Sequence, residues 1–345
     1  MKISDFYGTY SSGAGFKEME QEFFSIKNVS KVKKIINKNL KKMSVSNNDL
    51  ENKIIMNVGS GREALGLLQY KPKKIYHYDV SYKNIKNFKK YLNINNLVKV
   101  IESKQFDLSK NRLPEKKFDF IYLHGIIQHV DHVDIALKNL ILSMKLNGKM
   151  WFYFYRPGSL NVFLGSLQRK LLKNIKINKF KNFLKTKFKN NFIDDIMDDC
   201  YVPNRQLFYP SIYNKNLKNN FVENFGNTFL KNYSHKVNFL TFHESVVFFL
   251  KKKRQAKKIK IKGLKNTQQE NVLKKGLYRN KQYLNILNII NSSNEVRNEK
   301  NIFEIVIKLE LIKNKVRKIF YENNKLTQKE FLKIIKNIKK IFNLL

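Results

Sequence analysis

The sequence predicts a doubly wound α/β sheet with helical additions, on three observations. Short apolar runs alternate with helix-spaced segments between residues 51 and 156. The first of these runs ends in a glycine turn. Two further strand-like runs close the region near residue 250. Repeated strand–helix units of this spacing imply parallel strands joined by right-handed crossovers. With 345 residues, 42% of them hydrophobic, the chain can bury a substantial core.

Lys53 to Val58 is a short apolar run meeting glycines, the pattern of a buried strand entering a tight turn. Arg62 to Tyr70 then reads as a helix. Lys74 to Asp79 reads as a second strand, and Ser81 is placed to cap a helix running to about Leu92. Leu97 to Ile101 is expected to be the third strand and Phe118 to Leu123 the fourth. A helix from about Asp134 to Met144 is expected to stop at Asn147-Gly148. Lys149 to Tyr155 follows as the fifth strand. Lys236 to Leu240 and Ser245 to Lys251, separated by Thr241-Phe242-His243-Glu244, read as an antiparallel pair that brings the sheet to seven strands.

In such a sheet a ligand sits beyond the carboxyl ends of the strands, at the switch point. Asn57-Val58-Gly59-Ser60-Gly61 ends the first strand there, and its glycines let backbone approach a ligand closely. Asp79 ends the second strand, where a carboxylate can accept hydrogen bonds from both hydroxyls of a ribose. Together the two features point to an adenosine-type ligand. Gly59-Ser60-Gly61-Arg62-Glu63-Ala64 also fits the relaxed dinucleotide pattern, so the turn alone leaves both ligands open.

Beyond the turn and Asp79, the chain runs Phe106-Asp107-Leu108, Phe118 to Tyr122, and His124-Gly125-Ile126-Ile127-Gln128-His129-Val130. A helix and Lys145-Leu146-Asn147-Gly148-Lys149 follow. Over residues 50 to 160, and more weakly to 253, this resembles the class I S-adenosylmethionine (SAM)-dependent methyltransferase family, especially its small-molecule branch. Phe118 to Lys149 is the most specific stretch, because dinucleotide dehydrogenases lack it. The resemblance implies a Rossmann-like methyltransferase sheet and SAM as cofactor. It implies cofactor contacts from Asn57, Gly59, Ser60, Gly61, Asp79, Asp107 and His124, with Asp107 near the adenine. Asn57 stands where the family usually has an acidic residue, so hydrogen bonding is kept there and charge is lost.

His129 and His124 follow the fourth strand on the ligand rim, where a base for a hydroxyl or carbon acid can sit. Packing around the adenine and the next helix is the alternative for both. No metal is expected, since His124, His129 and His132 do not have the spacing of a recognised ligand set. Residues 157–230 read as a helical insertion, a substrate lid by the resemblance, in which Tyr201, Arg205 and Tyr209 are candidate acceptor contacts. Helical cover with aromatic core is the competing reading. Asp194, Asp195, Asp198 and Asp199 read as a solvated face pairing with lysines rather than a cation site. Tyr7 and Tyr10 are candidates to fold over the cleft.

The organisation expected is an N-terminal helical segment (1–50, with a helix from Phe16 to Leu40), a methyltransferase domain (51–253) and a basic helical extension (254–345). The formal charge of +41 admits an anionic partner, RNA or a membrane surface, through that tail. Lysine outnumbers arginine several-fold and asparagine and isoleucine are abundant, which A/T-rich codon usage also produces. RNA methylation and a non-catalytic binding role therefore stand beside the leading function, methyl transfer to a small-molecule, lipid- or sugar-linked acceptor. A single cysteine, Cys200, and an N-terminus without an apolar leader suggest a cytoplasmic protein with no transmembrane segment.

Overall fold

The computed structural model describes residues 6, 24–41, 45–59, 61–155, 160–188, 190–203, 206–207, 222–224, 245–252, 298–323 and 327–342. In chain order the elements are α1 (Ile26–Lys41), β1 (Ile54–Val58), α2 (Arg62–Leu67), β2 (Lys74–Asp79), α3 (Tyr82–Ile94), β3 (Ile101–Gln105) and β4 (Phe118–Leu123). There follow α4 (Val133–Ser143), β5 (Met144–Tyr155), α5 (Leu160–Leu171), α6 (Ile177–Lys185), α7 (Asn190–Tyr201), β6 (Val222–Asn224), β7 (Ser245–Lys252), α8 (Glu299–Asn323) and α9 (Gln328–Phe342).

The strands form one mixed sheet in the order β3-β2-β1-β4-β5-β7-β6. The first five run parallel, while β7 lies antiparallel to β5 and to β6. The chain moves outward from β1 through β2 to β3, then returns to the other side with β4 and β5. That reversal makes the carboxyl ends of β1 and β4 the switch point. Both faces of the sheet are covered. One core joins Met56, Ile121, Leu123 and Phe152 to Leu137, Leu140 and Ile141 of α4. The other joins Ile55, Phe120, Tyr122 and Trp151 to Ile36 of α1, Leu65 of α2 and Phe88 of α3. Burial on both faces explains why β1 and β4 read as continuous apolar runs rather than alternating ones.

Local chemistry sets the helix ends. Ser81 Oγ accepts from the Asn84 backbone N–H at 3.4 Å, capping α3 as expected. At the far end of α4, Lys252 from β7 donates to the carbonyls of Ile141 and Met144 at 2.9 and 2.8 Å. A cation there satisfies carbonyls that the helix itself leaves unpaired.

Three expectations are corrected. The third strand is Ile101–Gln105, not Leu97 to Ile101. Leu97 to Val100 form a turn in which Val100 N–H donates to Leu97 O, and the strand's outward residues are the charged Glu102 and Lys104. Asn147-Gly148 does not stop a helix, because α4 has already ended at Ser143. The pair lies inside β5, where Asn147 takes φ 63° and the register against β4 jumps from Phe118↔Met144 to Phe120↔Lys149. Finally, β7 pairs with Val222–Asn224, from the stretch expected to be helical. The run Lys236 to Leu240, expected as its partner, lies outside the described residues, as do Tyr7, Tyr10 and the first part of the Phe16 to Leu40 helix.

A third core has no sheet. Leu160, Phe163, Leu167, Phe180, Leu184, Ile196 and Met197 of α5–α7 pack with Ile305, Val306 and Leu309 of α8 and Ile335 and Ile338 of α9. The insertion and the tail are thus held together by shared apolar burial, about 1.5–3 kcal/mol for each large side chain fully removed from water. The apolar stripe of α9 faces this core, while Lys329, Lys333, Lys336 and Lys340 are exposed. A helix lying on a bilayer would need that stripe outward. Among the described residues no helix is long and apolar enough to cross a membrane.

Candidate functional site

The parallel register aligns the ends of three strands. Val58 pairs with Tyr78 of β2 and with Leu123 of β4, so Gly59, Asp79 and His124 emerge along one edge. Gly59 and Gly61 adopt φ 127° and 87°, which L side chains rarely tolerate. A Cβ at Gly59 would meet Ile126 Cδ1 at 3.1 Å, and one at Gly61 would meet the Phe88 ring at 2.9 Å. Gly61→Ala is accordingly expected to cost about 2–4 kcal/mol, the sum of left-handed strain and overpacking. Urea unfolding of the two proteins measures this, and an unchanged midpoint would refute it. Ser60 lies outside the described residues.

Asp79 is buried at the end of β2. Its Oδ1 accepts from Ser81 N–H at 2.6 Å and its Oδ2 from Asn84 Nδ2 at 3.3 Å. Burial pushes its pKa up to about 7, against the lowering effect of those two bonds. An ionised carboxylate has about four acceptor sites, so two remain for ligand hydroxyls. Asn57 is wholly buried at the end of β1. Its Nδ2 donates to Tyr122 O at 3.3 Å, while its Oδ1 has no partner among the described residues. A buried unpaired acceptor beside a ligand turn is what a donor on a bound cofactor would satisfy. The residues present therefore fit a SAM-type group: two hydroxyl acceptors, a buried amide oxygen and a turn held open by glycine.

Asp107 follows β3 but is occupied by its own turn. Its Oδ1 accepts from Ser109 N–H at 2.8 Å, and Lys110 Nζ lies 3.1 Å from Oδ2. Phe106 beside it packs on Tyr78, with ring centroids 4.8 Å apart. It presents an apolar ring where the resemblance places adenine.

The two histidines differ. His124 stacks nearly parallel to Trp151 and Tyr122, its ring centroid 5.8 and 6.3 Å from theirs, and keeps 36% of its side chain exposed. Glu63, in the first turn of α2, holds Oε1 3.6 Å from its Nδ1. Burial lowers the His124 pKa, opposed by Glu63, so the imidazole is neutral at neutral pH. His129 is buried, edge-on to Tyr155 at 6.0 Å, with the Gln128 Nε2 amide 3.3 Å from its Nε2. Its surroundings are those of a packed side chain, whereas His124 keeps an open face on the rim. His132 stands at the N-cap of α4, its backbone N–H donating to Ser109 Oγ at 3.2 Å.

Of the three lid candidates, only Tyr201 lies among the described residues. Tyr201 donates to Ile175 O at 3.4 Å and packs 6.2 Å from the Phe180 ring, inside the helical core. Arg205 and Tyr209 lie outside the described residues. Among the described residues of the insertion, Gln206 reaches the loop after β4. Its backbone N–H donates to Gln128 O at 3.0 Å and its Nε2 to Val130 O at 2.5 Å, tying the insertion to the loop after β4. In the acidic group, Asp199 pairs with the buried Lys313 of α8. Sequence reasoning missed His77, Glu63, Phe88 and Gln206. Only Glu63 carried a signal, as the carboxylate one position after the glycine turn's Arg62.

Comparison with known proteins follows the same lines. Residues 56–152 match the family model described as a methyltransferase domain. No curated protein sequence matches the chain. Among solved structures, a SAM-dependent methyltransferase from Aquifex aeolicus is similar at 21% identity, covering 37% of this chain and 73% of that one, with a TM-score of 0.31. A methyltransferase from Mesorhizobium loti is similar at 16% identity, covering 34% and 50%, with a TM-score of 0.29. The YcgJ protein from Bacillus subtilis is similar at 14% identity, covering 38% and 58%, with a TM-score of 0.33. The chain spans about half the length of the last two. The matched residues, 56–152, run from β1 into β5 and include the Phe118-to-Lys149 stretch.

Proposed function

We propose that the chain transfers the methyl group of SAM to a small-molecule, lipid-linked or sugar-linked acceptor. The observation that carries the reading is Asp79, buried at the end of β2 with lone pairs to spare, beside a turn whose glycines take angles that L side chains rarely adopt. SAM supplies an activated methyl group on a sulfonium, transferred by in-line displacement. The protein's share is alignment and exclusion of water. Asp79 holds the ribose hydroxyls. Asn57 Oδ1 accepts from the amino-acid portion, and Phe106 and Asp107 border the adenine. His124 takes the proton of an acceptor that must lose one. Its neutral ring makes it a base at neutral pH, and Glu63 stabilises the cation that forms.

Calorimetric titration with SAM is expected to show saturable one-site binding. Labelled methyl from SAM is expected to appear in one fraction when small metabolites, lipids, glycans and RNA are offered in parallel. Absence of SAM binding would sink the reading. NAD(H) binding in its place would assign the turn to a dinucleotide, and label in RNA would replace the acceptor class.

A further inference from the structure

The glycine turn is held from the neighbouring strand through a histidine that the methyl-transfer reading does not use. His77 lies in β2, two residues before Asp79, and is 1% exposed. Its Nε2 is 2.7 Å from the carbonyl oxygen of Gly59 and its Nδ1 is 2.9 Å from Ser103 Oγ of β3. A carbonyl can only accept, so Nε2 carries the proton and Nδ1 accepts from the serine hydroxyl. The ring stands edge-on to Phe88 at 4.7 Å, the same ring that lies against Gly61. Gly59 is thus gripped twice from β2, because its N–H also donates to Tyr78 O at 2.9 Å.

Packing alone does not explain the side chain. A phenylalanine or leucine would fill the space without the desolvation that an imidazole suffers when buried. What imidazole adds is a donor of fixed direction, aimed at a carbonyl one residue beyond the last β1–β2 pair, Val58↔Tyr78. Burial keeps the ring neutral, its pKa depressed to about 4, so the donor and acceptor assignments persist across the working range.

We propose that His77 is a positioning residue for the ligand turn: it relays Ser103 to the Gly59 carbonyl and so fixes the turn relative to Asp79. Strand β2 then supplies both the ribose acceptor and the strut that sets its distance from the glycines. The proposal rests on the reading of this turn as the SAM site. Groups held in place by a directed hydrogen bond lose affinity for their ligand when the support is removed.

The test pairs His77→Phe with His77→Gln, whose amide can again donate to Gly59 O. S-adenosylhomocysteine is the probe in calorimetry. The phenylalanine variant is expected to bind about tenfold or more weakly, with the glutamine variant recovering to within about threefold of the parent. Equal binding by parent and His77→Phe overturns the proposal. So does a glutamine variant as weak as the phenylalanine one, since the loss is then one of shape. If the parent binds no S-adenosylhomocysteine, the SAM reading fails separately. The strut is then judged by amide exchange, which is expected to accelerate at Gly59 and Gly61 in His77→Phe; unchanged exchange overturns it. Should that variant fail to fold, nitrogen-15 spectra of the parent decide. They are expected to show the neutral Nε2–H tautomer at His77, and an Nδ1–H tautomer overturns the proposal.

Discussion

Replacing Lys313 with methionine is expected to destabilise the helical part of the protein by about 3–5 kcal/mol, the cost typical of breaking a buried ion pair from one side. The Lys313 side chain is completely buried on α8. Its ammonium meets Glu310 Oε2 at 2.9 Å and the carboxylate of Asp199 on α7. Gln168 of α5 donates to Glu310 Oε2 at 3.0 Å and to Val306 O at 3.2 Å. Three helices therefore converge on one cation. Methionine matches the length of the lysine stem, so lost volume is small and the penalty comes from two carboxylates left close together without their counter-charge. The triple replacement Lys313→Met, Glu310→Leu, Asp199→Leu removes all three charges and is expected to recover most of the loss. Urea unfolding followed by circular dichroism measures both. A single variant within about 0.5 kcal/mol of the parent would mean the cluster is hydrated and carries no such weight.

That cluster also marks where sequence reading stops. Glu310 and Lys313 sit in a 25-residue helix rich in lysine, and nothing in the pattern distinguishes the one lysine that is buried from those in water. The parallel strands are a different case. Bounds for β2 and β4 were legible from their runs of aliphatic and aromatic residues, broken inside only by His77 and by Asp119. β3 is displaced by four residues because its two outward positions are charged and its first apolar neighbours, Leu97 and Val98, belong to a turn. β6 has three residues, Val-Glu-Asn, too few to carry a period. The placement of Asn57, Gly59, Gly61 and Asp79 at or just beyond the strand ends was legible because each is a polar residue or glycine that closes an apolar run. His77 was not, since it stands mid-strand among tyrosines, and its role depends on a carbonyl 18 residues away. Tyr201 was left between two readings for a related reason. Its aromatic ring suits either a cleft or a core, and only the tail helices, distant in sequence, decide for the core.

Replacing Asp79 with asparagine is expected to weaken SAM binding by about tenfold to a hundredfold at pH 8, and to abolish its pH dependence. Hydrogen bonds to a charged acceptor contribute about 1.5–3 kcal/mol, and an amide oxygen keeps the geometry while losing the charge. The pH behaviour follows from burial. In the free protein the Asp79 pKa is pushed up to about 7, chiefly because burial disfavours the charged form, with Ser81 N–H and Asn84 Nδ2 pulling the other way. Two ribose hydroxyls add donors that favour the carboxylate, so binding lowers this pKa and releases a proton near neutrality. Affinity must then rise with pH and level off above about 7, falling by up to about tenfold for each pH unit below that. The same linkage has the opposite sign for the free fold. A carboxyl with its pKa raised on folding holds a proton that the unfolded chain has lost, so its contribution to stability declines as pH rises from about 4 to about 7. SAM should therefore stabilise the protein more at pH 8 than at pH 6. Titration calorimetry in two buffers of different ionisation enthalpy counts the proton directly. A binding constant that is flat from pH 6 to 8 in the parent, with no proton released, would remove Asp79 from the ribose site. The same flatness is the expected result for Asp79→Asn, so the two proteins measured side by side separate a ribose acceptor from a carboxylate that only holds Ser81 and Asn84 at the start of α3.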